Sequence, residues 1–173
     1  MNDYIQKAIR TESIEGAKDR LLSVPQQIAK VDSLVRALGY ADNIKKFIYY
    51  GKPTDVVDAT KQFDETLTGV YIPEDKIRLL HAGLGMLTEA AEFLQPVIES
   101  IMRATELDRV NLREELGDSM WYQAIACDVL NTTFEVEQER NINKLQTRYP
   151  EKFTAKAAIT RDLDAERKVL EDA

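Results

Sequence analysis

Two pairs of carboxylates, Glu89 with Glu92 and Glu115 with Asp118, interrupt two of the most apolar helical stretches of the sequence. The members of each pair stand three residues apart, so on an α-helix they project from nearly the same face, about one turn apart. Charges rarely sit that close to a core without a partner. Two such helices packed antiparallel would bring four carboxylates together, and in a partly dry groove that cluster repels itself unless a cation joins it. Hard oxygen donors, with one histidine and one cysteine in the whole chain, favour Mg2+, with Mn2+ as its substitute, over zinc or copper.

The surrounding pattern is helical. Pro73, followed by Glu74 and Asp75, opens a helix whose buried stripe is expected to be Ile77, Leu80, Leu84, Leu87, Ala91 and Leu94. Pro96 is expected to kink the helix or end its regular part, with Val97 to Met102 continuing in a bent segment. Asp108 to Asn111 begins the next helix, with Leu112, Leu116, Met120, Ile125 and Leu130 as its apolar members. Thr132-Thr133-Phe134-Glu135 has the form of a capping box, with Thr132 as the cap, for a third helix that Pro150 ends. Upstream, a short stripe at residues 3 to 10 precedes a helix after Pro25 with Ile28, Val31, Leu34, Val35 and Leu38. That helix breaks near Gly39 and resumes through Ile44, Phe47 and Ile48 until Gly51-Lys52-Pro53. Residues 54 to 72, with Val56, Val57, Phe63 and Leu67, fit either a short helix or a packed loop.

Seven glycines and five prolines in 173 residues leave little material for a turn-rich β fold, and the length suits one domain. The expectation is a single all-α domain: N-terminal helices and an insertion over 1–72, a catalytic helical core over 73–153 and a tail over 154–173. A formal charge of −7 argues against nucleic acid as a partner. No apolar run approaches the length of a membrane span and Met1-Asn2-Asp3-Tyr4 begins no signal region, so the chain reads as cytoplasmic. Cys127, in an apolar run, reads as a buried thiol.

A second constellation follows the acids. Asn141, Lys144 and Arg148, at spacings of three and four, line one helix face, and an amide with two cations suits polyphosphate oxygens. A basic last turn complementing the helix dipole accounts for Arg148 equally well, though not for Asn141. Trp121 and Tyr122, one turn beyond Asp118, either stack on a base or, as is commoner, pack in the core. His81 stands three turns before Glu92, about 16 Å away by helix rise, and reads as a groove or interior histidine rather than a ligand of the same ion. A di-iron helical bundle with two Glu-x-x-His motifs is excluded by the single histidine. Without a glycine-rich phosphate loop or a nucleophile elbow, any catalysis is metal-assisted attack by water.

Taken together, Glu89-x-x-Glu92, 22 intervening residues, Glu115-x-x-Asp118 and Asn141-x-x-Lys144-x-x-x-Arg148-Tyr149-Pro150 resemble the MazG-type branch of the all-α nucleoside triphosphate pyrophosphohydrolases. The strings Leu80-His81-Ala82-Gly83-Leu84-Gly85, Glu114-Glu115-Leu116-Gly117-Asp118 and Arg148-Tyr149-Pro150-Glu151-Lys152-Phe153 are similar to its single-domain phage members, which would place the protein in a host cytoplasm. The resemblance implies a four-helix-type core, a homodimer or homotetramer, and conversion of a (deoxy)nucleoside triphosphate to the monophosphate and pyrophosphate. It implies Glu89, Glu92, Glu115 and Asp118 as catalytic metal ligands, and Asn141, Lys144, Arg148 and Tyr149 at phosphate or sugar; Trp121 joins the substrate-binding candidates by its aromatic face alone. Gln95-Pro96 departs from the charged run that often follows the first pair, and Lys45, Lys46 and Lys52 are the cations that could replace it. The rival expectations are a non-catalytic bundle that binds a nucleotide or a protein, and a structural oligomer with the acids paired to Arg103 or Arg113.

Overall fold

The computed structural model of the chain describes residues 3–10, 25–52 and 71–171. Eight helices are described, and among these residues there is no strand: α1 (Asp3–Ile9), α2 (Pro25–Ala37), α3 (Gly39–Tyr50), α4 (Glu74–Arg103), α5 (Arg109–Val129), α6 (Phe134–Arg148), α7 (Ala155–Ile159) and α8 (Leu163–Glu171). The all-α expectation holds. The open reading of residues 54 to 72 falls almost wholly outside the described residues; of that stretch, Tyr71 and Ile72 are exposed. The helices belong to two compact units, Pro25–Asn131 and the combination of Met1–Val24 with Thr132–Ala173.

The Pro25–Asn131 unit holds four helices, α2 to α5. Helix α4 runs for 30 residues, about 45 Å, and continues through Pro96 as one helix to Arg103. Pro96 removes only the hydrogen bond it would have donated to the Glu92 carbonyl, and the turns on either side carry the helix past it. Ala104, in the left-handed region at φ 53°, then turns the chain. Asp108 caps α5 by accepting from the amides of Val110 and Asn111. Helices α4 and α5 pack antiparallel: Arg78 pairs with Asp128, and Tyr122 lies over Gly85. At Gly85 a Cβ would stand 2.1 Å from the Tyr122 ring, so only glycine admits the ring there. Helix α3 packs along the first half of α4, where Tyr49 donates its hydroxyl to the carbonyl of Ile77 at 2.8 Å. Helix α2 meets the second half, where Val35, Ala91 and Ile98 form a small core flanked by Ile28 and Leu38. Gly39 starts α3 rather than ending a helix, since the chain bends at Leu38, and Gly51 at φ 62° closes α3 in the left-handed conformation.

One expectation needs correcting. Of the apolar stripe assigned to the interior of α4, Ala91 is buried and Leu84 half-buried, while Ile77, Leu80, Leu87 and Leu94 are exposed. The residues that α4 buries within the chain are mostly small or polar: Ala82, Gly85, Thr88, Glu89, Ala91 and Ile98. Helical periodicity reports that a face is apolar, not what covers it. On α5, Leu116, Met120 and Leu130 are exposed in the same way, and Cys127 is only partly buried.

In the other unit, α1 lies along α6, with the Asn141 amide donating to the Tyr4 hydroxyl at 3.1 Å. Thr133, not Thr132, caps α6 by accepting from the Val136 amide, one residue later than the sequence pattern suggests. Ile142 and Tyr149 are buried there, and Tyr149 packs on Phe153 with ring centres 5.4 Å apart. Helix α8 contributes Glu166, buried against Arg148 and Arg161.

Candidate metal centre

Three of the four paired carboxylates converge. Glu89, Glu92 and Glu115 each offer an oxygen, and these atoms lie within 4.8 Å of one another. The antiparallel register of α4 and α5 produces this: the middle of α4 faces the first half of α5, so the i, i+3 pair of one helix meets the first acid of the other. Glu89 and Glu115 are buried, Glu92 reaches solvent, and Asp118 is exposed one turn further along α5, outside the set.

The electrostatics show a site short of positive charge. Burial, followed by the charges of Glu92 and Glu89, pushes the Glu115 carboxyl up to about 7. Glu92 is raised as well, first by burial and then by Glu89 and Asp42. A divalent cation relieves that repulsion, and three hard oxygen donors fit one that keeps part of its water shell, as Mg2+ does. The residues present therefore fit the ion.

A lysine from α3 completes the cluster. Lys45 is 3% exposed, and its ammonium lies 2.7 Å from Thr88 Oγ1, 3.3 Å from Glu89 Oε1 and 3.2 Å from Asp42 Oδ1. It also stands 5.0 Å from the centre of the Tyr122 ring. Burial works against its charge, but hydrogen bonding with Tyr122, Asp42 and Glu89 outweighs it and pushes the ammonium up to about 12. Asp42 also pairs with Lys46, and although its burial opposes the charge, the two lysines hold its carboxyl below the usual range. The sequence offers a faint signal for this arrangement: Asp42, Lys45 and Lys46 have the three- and four-residue spacing of ion pairs on an amphipathic helix. Of the three lysines named from sequence, Lys45 and Lys46 meet acids here, and Lys52 is exposed.

Beside the carboxylates lies an aromatic group. Tyr49 stacks on His81 with ring centres 3.9 Å apart, and the Tyr50 hydroxyl is 3.3 Å from His81 Nε2. Trp121 and Tyr122 meet His81 edge-on at 6.1 and 5.5 Å. Burial, then the charge of Lys45, lowers the histidine below its usual value. His81 is thus a groove histidine held by tyrosines, as its place in the sequence suggests. The Trp121–Tyr122 pair divides: Tyr122 is buried, and Trp121 keeps 54% of its surface open to solvent.

The residues assigned to phosphate lie in the other unit and are engaged there. Arg148 donates from Nε to Glu166 at 2.8 Å, and Arg161 joins the same carboxylate at 2.7 Å. Asn141 is held by Tyr4, Tyr149 is buried and Lys144 is half-buried. The clamp by Glu166 has no signature in the sequence, since 18 residues separate it from Arg148.

Comparison with known proteins follows the same lines. Residues 82–153 match the family model of the MazG nucleotide pyrophosphohydrolase domain. The Gene 37 protein of Mycobacterium phage L5 is 36% identical over 75 residues, a stretch that spans 40% of this chain and 65% of that protein. No solved structure matches. Over residues 82–153, this chain is similar to the MazG nucleotide pyrophosphohydrolase domain.

Proposed function

We propose that the protein hydrolyses (deoxy)nucleoside triphosphates to the monophosphate and pyrophosphate with the help of Mg2+. The observation that carries this reading is the convergence of Glu89, Glu92 and Glu115 within 4.8 Å, three carboxylates against the one buried ammonium of Lys45, inside the stretch that matches the MazG domain. Glu89, Glu92 and Glu115 would hold the cation, with Asp118 at the open side of the cluster. Bound there, the ion would screen the triphosphate and lower the pKa of an attacking water. Glu92, the solvent-facing acid of the three, would orient that water toward the α-phosphorus, and pyrophosphate would leave. Trp121 offers an exposed indole for a base, and Asn141, Lys144, Arg148 and Tyr149 are the proposed contacts to phosphate and sugar.

The exposed apolar ridge of α4 supports a second part of the proposal, a homo-oligomer. Leu80, Leu87, Leu94 and Ile101 recur every seventh residue and are 51%, 42%, 36% and 52% exposed. Such a spacing keeps one face turned toward a packed neighbour. No described helix is long and apolar enough to cross a membrane.

The rival of a non-catalytic module draws on the clamp of Arg148 by Glu166, which occupies the guanidinium expected at phosphate. Pyrophosphate release from a panel of nucleoside triphosphates, with and without Mg2+, separates the two. The wild type should turn over at least one nucleotide only with the metal, and Glu92→Gln should lower kcat by about 100-fold or more. Nucleotide binding without turnover by the wild type would sink the enzymatic reading.

A further inference from the structure

Lys45 has a role that the metal site alone does not require. Its side chain is 4% exposed, and the ammonium is fixed from four sides by Thr88, Glu89, Asp42 and the Tyr122 ring. Thr88 is itself fixed: its hydroxyl donates to the Gly85 carbonyl at 3.0 Å and lies 3.3 Å from Glu89 Oε1. Of the two oxygens of Glu89, Oε1 is thus the one that accepts from the ammonium, with the Thr88 hydroxyl beside it. The contacts with Lys45 and Thr88 are both made by Oε1, not by the second oxygen.

We propose that Lys45 is a positioning residue that makes Glu89 a single-oxygen donor and so sets which divalent ion the cluster prefers. This rests on the reading of Glu89, Glu92 and Glu115 as a metal site. Mg2+ demands near-octahedral geometry with short bonds and keeps several waters, whereas Ca2+ accepts six to eight oxygens and takes carboxylates through both atoms. A Glu89 that can offer only one oxygen suits the smaller ion. Released from Lys45, the carboxylate can turn both oxygens inward, which suits the larger one. A buried ammonium is well placed for this task because, unlike a bound ion, it cannot leave the site, and its rigid surroundings hold Glu89 in one rotamer.

The test is calorimetric titration of MgCl2 and of CaCl2 into the wild type, Lys45→Met and Lys45→Arg, with circular dichroism to check the fold. The wild type should prefer Mg2+, Lys45→Met should shift the Ca2+-to-Mg2+ affinity ratio at least 10-fold toward Ca2+, and Lys45→Arg, which keeps a donor to Oε1, should shift it less. Thr88→Val, which removes the hydroxyl that steadies the ammonium, should move the ratio in the same direction and decides the matter if Lys45→Met does not fold. An unchanged ratio in the folded variants, with both affinities moving together, would mean that Lys45 contributes charge alone and overturns the proposal. If the wild type binds the ions with this preference yet releases no pyrophosphate, the proposed reaction fails and the role of Lys45 stands. If it binds neither ion, both fail.

Discussion

At the scale of single residues, the buried acids divide by the company they keep. Glu115 faces two carboxylates and is pushed up to about 7, while Glu166 faces two guanidiniums and is held down at about 2 by hydrogen bonds from Arg148 and Arg161. The second case makes a prediction about pH. Because the folded value of Glu166 lies below the ordinary 4.5, its contribution to stability is fully present above about pH 4.5 and is lost as the pH falls through about 2. Glu166→Gln should therefore unfold at lower urea than the wild type at pH 7, by about 2 kcal/mol, and the gap should shrink between pH 4.5 and 2. A gap that stays constant across that range would show that the ion pair is not its source. The sequence names both Lys45 and Glu115 but gives neither its partners. What distinguishes them is a neighbour supplied by another helix: Thr88 and Glu89 for the lysine, the Glu89–Glu92 pair for the acid.

At the scale of elements, the helices were legible because their ends are written locally. Pro73, Asp108, Gly51 and Pro150 each act on backbone groups within a turn of themselves, and each lies at or next to a helix boundary. The one-residue shift from Thr132 to Thr133 shows the grain of that reading, because two adjacent threonines offer the same hydroxyl and only the backbone decides which one accepts. Asp108 is the sharpest of these signals, since its carboxylate accepts from two amides. Asp108→Ala should cost about 1 kcal/mol in thermal or urea unfolding, with the far-ultraviolet spectrum little changed. A loss below 0.3 kcal/mol, on the order of a surface change, would mean that α5 does not depend on its cap. Pro96 lies inside the 30-residue helix rather than at its end: a proline there costs one hydrogen bond and does not have to end the element.

For the whole molecule, the exposed ridge of α4 is the feature that a single copy does not explain. Leucines at seven-residue spacing are the pattern of a helix packed against another, and α2, α3 and α5 cover other parts of α4. Covering this ridge with a second copy predicts a dimer or tetramer in light scattering at micromolar concentration. Leu87→Glu together with Leu94→Glu should give a monomer that keeps its helical content, because these side chains contribute little to the interior of one chain. A wild type that runs as a monomer at all concentrations would remove this part of the proposal. The sequence by itself determined the helical class, the helix boundaries and the acid pairs, since periodicity, caps and i, i+3 spacing act within a few residues along the chain. Tertiary structure alone decided that Glu115 joins Glu89 and Glu92 while Asp118 stays at the surface, and that Lys45 fixes Glu89. Those outcomes depend on the register and rotation of one helix against another, which the packing of small residues such as Gly85 sets and no local pattern encodes.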